Sequence, residues 1–226
     1  MKTIDLKPLR SLIDRHTFHR DKYEINFKGI DLVIYPGVLN PNYTKVSGFL
    51  SDNIKIKPGS RVLDMFCGSG AIGILNAKNA QSVLFSDISP EAIKCTEDNL
   101  SKFSVKGKVS SRLSDVWNNI ANNELFDVII ANPPLLPISP NTEFERNFAD
   151  SKNMDITTRF IKGCPQHLTK NGTVYMATST ASNLDKHKSR EGDIAVTTAQ
   201  VLGLKADVVA ELNAGYEIYR VIKLSL

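Results

Sequence analysis

The chain has 226 residues, 42% of them apolar and 23% charged, with a formal charge of +4; this suits one domain, or one with a small appendage, around a substantial core. No apolar run approaches the ~20 residues needed to cross a bilayer, and the start Met1-Lys2-Thr3-Ile4-Asp5-Leu6 lacks a secretory leader's apolar stretch and cleavage site, so the expectation is a cytoplasmic protein with no membrane partner. Cys67, Cys95 and Cys164 are odd in number and far apart, which argues against a disulfide framework or a zinc site, and the mild basic excess leaves nucleic acid open as a partner without requiring it.

Leu6, Leu9, Leu12 and Ile13 recur at helical spacing, and Tyr23 to Phe27 and Asp31 to Tyr35 read as strands joined across Lys28-Gly29. Residues 1–45 therefore form a small helix-and-hairpin appendage, and 46–226 the main domain. Pro36 to Asn42 reads as a loop, and Val46, Phe49, Leu50 and Ile54 predict a helix entering the main domain. From Pro58 onward strands and helices alternate: strand Arg61 to Met65, helix Ala71 to Lys78, strand Ser82 to Phe85, helix Pro90 to Lys102, strand Lys108 to Leu113 and strand Phe126 to Ala131. A helix from Ile156 to His167, a strand from Thr173 to Ala177 and a helix ending near Gly203 follow. Two closing strands, Ala206 to Leu212 and Glu217 to Leu224, are separated only by Asn213-Ala214-Gly215 and predict an antiparallel hairpin at the edge of a mainly parallel sheet. Two long polar connections interrupt the rhythm. Leu136 to Asp155 follows a proline turn and reads as a substrate-side loop. The stretch from Thr178 to about Asp193, with Lys186, His187, Lys188 and Arg190 balanced by Asp185, Glu191 and Asp193, reads as a solvated loop.

The strand Val62-Leu63-Asp64-Met65 runs through Phe66 and Cys67 into a turn containing Gly68 and Gly70, with Gly73 in the helix that follows. Glycines there let backbone approach a ligand where a Cβ would clash. Asp87, nineteen residues past Gly68, stands near the ~20 expected of an acid that binds ribose hydroxyls. Taken alone, this pattern admits a dinucleotide. Asp64, a carboxylate at the strand end, disfavours a pyrophosphate and suits a ligand with an α-ammonium group, such as S-adenosylmethionine. Asp115 and Val116 follow another strand, where an acid can accept from adenine's amino group and an amide can donate to its ring. Cys67 reads as a small residue packed under the turn rather than a nucleophile.

Phe126 to Ala131 is an apolar strand that enters Asn132-Pro133-Pro134-Leu135. The prolines fix their own φ and push the residue before them out of the helical region, so the turn is rigid and can hold an amine. Residues 58–135 resemble the class I S-adenosylmethionine-dependent methyltransferases, and Asn132-Pro133-Pro134-Leu135 is similar to the Asn-Pro-Pro-(Tyr/Phe) motif of their amino-methylating branch. That branch includes release-factor glutamine methyltransferases, adenine amino-methyltransferases and rRNA guanine methyltransferases of the small-domain type. The resemblance extends more weakly to Pro36-Gly37-Val38-Leu39-Asn40-Pro41, and so covers roughly residues 30–224. It implies a Rossmann-like α/β fold with a seven-stranded, mainly parallel sheet. It implies S-adenosylmethionine bound by Asp64, Phe66, Cys67, Gly68, Gly70, Asp87, Ile88, Asp115, Val116 and Asn132, with Asn132, Pro133, Pro134 and Leu135 forming the catalytic turn. No metal is required.

Leu135 stands where the branch usually carries an aromatic ring; Phe144, Phe148 or Tyr43 could supply a ring instead. The methyl acceptor stays open among nucleic acid, a translation-associated protein and a small metabolite. A nicotinamide-dependent oxidoreductase and a non-catalytic module of the same fold are the alternatives from other classes. The appendage, shorter than the recognition domain of release-factor methyltransferases, fits either covering the cofactor or self-association as a homodimer.

Overall fold

The computed structural model of the chain describes residues 7–103, 106–181, 193–215 and 217–226. The expected basic loop around Lys186, His187, Lys188 and Arg190 lies outside the described residues. Helix α1 (Lys7–Thr17) precedes a hairpin of β1 (Tyr23–Phe27) and β2 (Ile30–Ile34), then α2 (Lys45–Asp52). Lys28 and Gly29 both take positive φ, 50° and 86°, the twist a two-residue hairpin turn demands.

The main sheet is built from β3 (Arg61–Met65), β4 (Ser82–Asp87), β5 (Lys108–Leu113), β6 (Phe126–Ala131), β7 (Leu168–Ser179), β8 (Lys205–Asn213) and β9 (Ile218–Ser225). Its order is β5-β4-β3-β6-β7-β9-β8. The first five strands of that order run parallel, and β9 runs antiparallel to both its neighbours. The crossovers are α3 (Ala71–Asn76), α4 (Pro90–Leu100), α5 (Asp155–His167) and α6 (Ile194–Val201).

Side chains alternate across the central strands, so neighbouring residues feed two separate cores. Val62, Phe85 and Ile130 join Ile72 and Ile74 of α3 and Leu50 of α2, together with Phe27, Ile30 and Leu32 of the hairpin. Leu63, Met65 and Ile129 join Phe160, Ile161 and Cys164 of α5 and Ala195 and Ala199 of α6. The hairpin thus shares the main hydrophobic core. All three cysteines are free and buried.

Several boundaries differ from expectation, β4 running on to Asp87 and α4 stopping at Leu100 among them, and two have a clear local cause. Helix α3 closes at Asn76, because Ala77 leaves helical geometry at φ −102° and ψ 23° while its amide still completes the last helical bond to the Gly73 carbonyl at 2.9 Å. Strand β7 begins at Leu168, five residues earlier than the apolar run, since Leu168 pairs with Phe126 across a register shift and polar Thr169 to Gly172 are carried along. Gly172 packs against that partner: a Cβ there would lie 2.8 Å from the Phe126 carbonyl oxygen.

Candidate functional site

The strand ends of β3, β4 and β6 lie side by side, and the three loops that leave them meet. After Met65 the chain takes positive φ at Phe66 (61°), Gly68 (55°) and Gly70 (75°). Phe66 pays for that geometry without being glycine, which marks a turn held by its surroundings. The Gly68 amide donates to Asp87 Oδ2 at 3.0 Å and the Cys67 amide to the Ser86 carbonyl at 3.1 Å. From α4, Thr96 Oγ1 donates to the Gly68 carbonyl and Asn99 Nδ2 to the Ser69 carbonyl, each at 2.9 Å. Asn99 also exchanges hydrogen bonds with both backbone groups of Val33 in β2, so one buried carboxamide ties the N-terminal hairpin to the glycine turn.

Asp87 ends β4 and accepts from the Ser89 amide at 3.0 Å through its other oxygen. Burial pushes its carboxyl above the ordinary value, opposed by the amides of Ser89, Gly68 and Ile88. Ser89 caps α4 by accepting from the Ala92 amide at 3.2 Å, with Pro90 opening the helix. This fixes Ile88 to Glu91 along one wall of a cavity of about 300 Å³.

The same cavity is lined by Phe66, Cys67 and Gly68, by Asn132 and Pro134, by Ser47 of α2, and by Gly37, Leu39 and Pro41. Its last wall comes from the 3-10 turn Phe144–Asn147, which contributes Phe144, Arg146 and Asn147. That turn belongs to the loop after the proline turn. The loop folds back on itself: the Leu136 amide donates to the Phe148 carbonyl at 2.7 Å and the Asp150 amide to the Leu136 carbonyl at 2.9 Å. Asn147 Nδ2 reaches the Gly37 carbonyl at 3.1 Å, clasping the two loops together. Buried His16 of α1 accepts from the Asn40 amide at 2.8 Å and packs against Tyr43 and Phe144, ring centroids 4.8 Å apart in each pair. Helix α1 therefore rests on both loops.

The site residues read from sequence divide accordingly. Phe66, Cys67, Gly68, Asp87, Ile88, Asn132 and Pro134 line the cavity. Asn132 Nδ2 donates to Ser47 Oγ at 3.3 Å. Gly70 sits at the N-cap of α3, beneath the turn. Pro133 is buried, and Leu135 packs against the core on the hairpin side instead of the cavity.

Asp64 departs from the expectation that it faces the ligand space. It shares a face of β3 with Val62, the face α3 covers, so its carboxylate is 2% exposed and accepts from the Gly73 amide at 2.9 Å. Burial pushes it up to about 7, opposed by that amide and reinforced by the negative charge of Asp87. Asp115 also lies outside the cavity wall: its carboxylate pairs with Arg159 of α5, while Val116, at φ 50°, is buried against the core around α5. The end of β5 still adjoins the site, because the Ser114 amide donates to the Asp87 carbonyl at 2.8 Å. Of the three rings offered by sequence, Phe144 reaches the cavity, whereas Phe148 and Tyr43 pack around His16. Ser47, Arg146 and Asn147 carried no sequence signal, since each looks like an ordinary polar surface position.

Among the described residues no group of three His, Cys, Asp or Glu side chains could hold a metal ion, and no helix is long and apolar enough to cross a membrane. A seven-stranded sheet with one reversed strand, a glycine turn answered by an acid on the next strand, and an Asn-Pro-Pro turn on the strand at its other side define the class of S-adenosylmethionine-dependent methyltransferases. The family model described as methyltransferase small domain matches residues 41–187, and the chain belongs to that family. The nicotinamide-dependent alternative is thereby set aside.

A protein of Methanocaldococcus jannaschii provisionally described as a protein N5-glutamine methyltransferase is 31% identical over 204 residues, covering 88% of this chain and 96% of that one. A release factor glutamine methyltransferase of Clostridium acetobutylicum is 33% identical over 115 residues, 49% of this chain but 40% of the relative. Among solved structures, the 16S rRNA N2 G1207 methyltransferase of T. thermophilus, in complex with AdoMet and guanosine, shares the fold with a TM-score of 0.63 and 16% identity, over 90% of this chain and 50% of that one.

Proposed function

We propose that this protein methylates the side-chain amide nitrogen of a glutamine in a protein substrate, in the cytoplasm and within the translation apparatus. The observation that carries this reading is the Asn132 carboxamide, which stands in the cavity wall beside Pro134 and is tethered to Ser47. Half-buried Leu135, packed against the core on the hairpin side, offers no stacking face and so weighs against a planar base. The archaeal relative, matched over 96% of its length, is described as acting on glutamine N5.

S-adenosylmethionine fits the other half of the cavity. A Cβ on Gly68 would meet nothing within 4 Å, so the turn leaves open space against its backbone. Asp87 commits two acceptor positions to Gly68 and Ser89 and keeps others for the ribose hydroxyls. Phe66, Cys67 and Gly68 border the methionine part and Ile88 the ribose, with Gly70 beneath the turn, while Asp115, paired with Arg159, and buried Val116 stay outside the wall and are not assigned to the adenine. Asp64 acts from beneath the turn, through Gly73, rather than by touching the ammonium group. When bound, the cofactor supplies an electrophilic methyl on a sulfonium.

Methyl transfer is an in-line displacement, in which holding the attacking nitrogen opposite the sulfur contributes up to ~7 to 11 kcal/mol. Asn132 Oδ1 and the Pro133 carbonyl accept the two N–H bonds of the acceptor amide. This draws the nitrogen lone pair out of conjugation and stabilises the positive charge that develops on it. The nitrogen–carbon bond forms as the carbon–sulfur bond breaks, its electron pair stays on sulfur, and the surplus proton leaves the nitrogen for water.

A planar nucleobase is the second reading, favoured by Phe144 and Phe66 in the wall. Calorimetric titration with S-adenosylmethionine, its demethylated product and a nicotinamide dinucleotide should give binding of the two sulfur compounds alone. Transfer of a tritiated methyl group to separated RNA and translation-protein fractions should then label protein, with methylglutamine recovered on hydrolysis by protease. Label confined to RNA selects the second reading. Asn132→Ala should lower transfer by ~100-fold or more while S-adenosylmethionine binding is kept; full activity of that variant refutes the assigned role.

A further inference from the structure

A carboxamide has two orientations of similar shape that exchange an acceptor for a pair of donors. For the acceptor role given to Asn132 above, on which this inference rests, only one orientation works: the oxygen must face the substrate nitrogen, because the flipped group would set N–H against N–H. Something must hold it. Asn132 Nδ2 donates to Ser47 Oγ at 3.3 Å. Ser47 is 3% exposed and sits in α2 with its hydroxyl 3.5 Å from Thr44 Oγ1, a partner toward which its own proton can turn. That leaves a lone pair aimed at the carboxamide.

The helix carrying Ser47 is itself fixed. Val46 and Leu50 are buried in the core, and Asn76 Nδ2 of α3 donates to Ser51 Oγ at 2.8 Å. The proline turn restricts the Asn132 backbone, so the remaining freedom lies in its two side-chain torsions, the last of which exchanges Oδ1 for Nδ2. We infer that Ser47 is the positioning residue that sets this rotation, keeping Asn132 Nδ2 turned away and Oδ1 presented to the methyl acceptor.

Three variants test it: Ser47→Ala removes the partner, Ser47→Cys nearly keeps the volume but replaces the oxygen with a poor acceptor, and Ser47→Thr keeps the hydroxyl. Each is assayed for tritiated methyl transfer from S-adenosylmethionine to the translation-protein fraction, and for S-adenosylmethionine affinity by calorimetry. The expected result is a loss of transfer of roughly 10- to 100-fold in Ser47→Ala and Ser47→Cys, with affinity unchanged and activity retained in Ser47→Thr. A Ser47→Cys enzyme within about threefold of the parent overturns the inference, as does a Ser47→Thr enzyme as weak as Ser47→Ala. Asn132→Ala run alongside separates the two levels: if it stays active, the reading of the site itself fails, and if it is inactive while Ser47→Cys is unaffected, only the role of Ser47 fails.

Discussion

Asp64 shows how a single acid can serve the cofactor turn without reaching the cavity. Its oxygen takes the Gly73 amide, and a Cβ on Gly73 would lie 2.6 Å from that oxygen and 2.5 Å from the Phe85 ring. The third glycine of the motif is therefore required by close packing of α3 on β3 and β4, with no demand from φ. Because burial raises the Asp64 carboxyl from its ordinary 3.8 to about 7, the folded protein holds a proton there that the unfolded chain releases near pH 4. Between those values the folded state binds more protons, so stability from this group falls as pH rises through the window and levels off above it. Asp64→Asn, which keeps an oxygen for Gly73, should flatten that part of the profile. Denaturant melts of both proteins at pH 5 and pH 8 check it: the parent should lose stability relative to the variant at the higher pH. Asp87, raised in the same direction, should leave a residual slope.

Among the elements, α5 illustrates what the sequence conveys and what it withholds. Its apolar spacing predicted a helix from Ile156 to His167, and the helix runs over Asp155–His167. Its cap was hidden, because Met154 at the N-cap takes a left-handed φ of 55° and offers no capping side chain. The cap comes from buried Asp150, whose two oxygens accept the Ile156 and Thr157 amides at 2.6 and 2.9 Å. The loop that forms one wall of the cavity is thus anchored to the helix behind it. Asp150→Ala should cost about 1 to 2 kcal/mol in a denaturant melt, with Asp150→Asn recovering part of it. Strands β3, β5 and β6 were legible residue for residue, since each is a run bounded by turn formers. The glycine and proline turns were legible because their chemistry is local. The 3-10 turn Phe144–Asn147 and Ser47 were not, because they join the cavity through folding of distant segments: Asn147 through Gly37, and Ser47 through Asn132 eighty-five positions away.

Across the whole molecule, the antiparallel side of the sheet is held by an ionic cluster in which Arg220 and Asp193 are buried. Arg220 of β9, 2% exposed, donates through Nε to Glu211 of β8 at 2.8 Å and lies 3.5 Å from Asp193, the N-cap of α6. Asp193 also accepts from Thr178 of β7 and from the Ala195 amide. One guanidinium thereby joins three strands to a helix. Burial raises the Asp193 carboxyl despite Arg220, so removing the cation leaves a buried acid without its counter-charge. Arg220→Met should destabilise by roughly 3 to 5 kcal/mol in a denaturant melt. The replacement of both Arg220 and Asp193 by apolar residues should restore part of the loss.

The position of β9 between β7 and β8 also makes it the bridge on which the edge strand depends. Strand β8 precedes β9 along the chain, yet its place in the sheet does not exist until β9 has docked on β7. The sheet grows outward on this side by an insertion, not by simple succession. Without β9, β7 would present a bare edge. The pairings that join β7 to β9 span far more chain than the turn joining β8 to β9, so the hairpin is the unit that forms cheaply and then arrives whole. The expected outcome of a φ-value analysis is that β8–β9 contacts form no later than β7–β9 contacts.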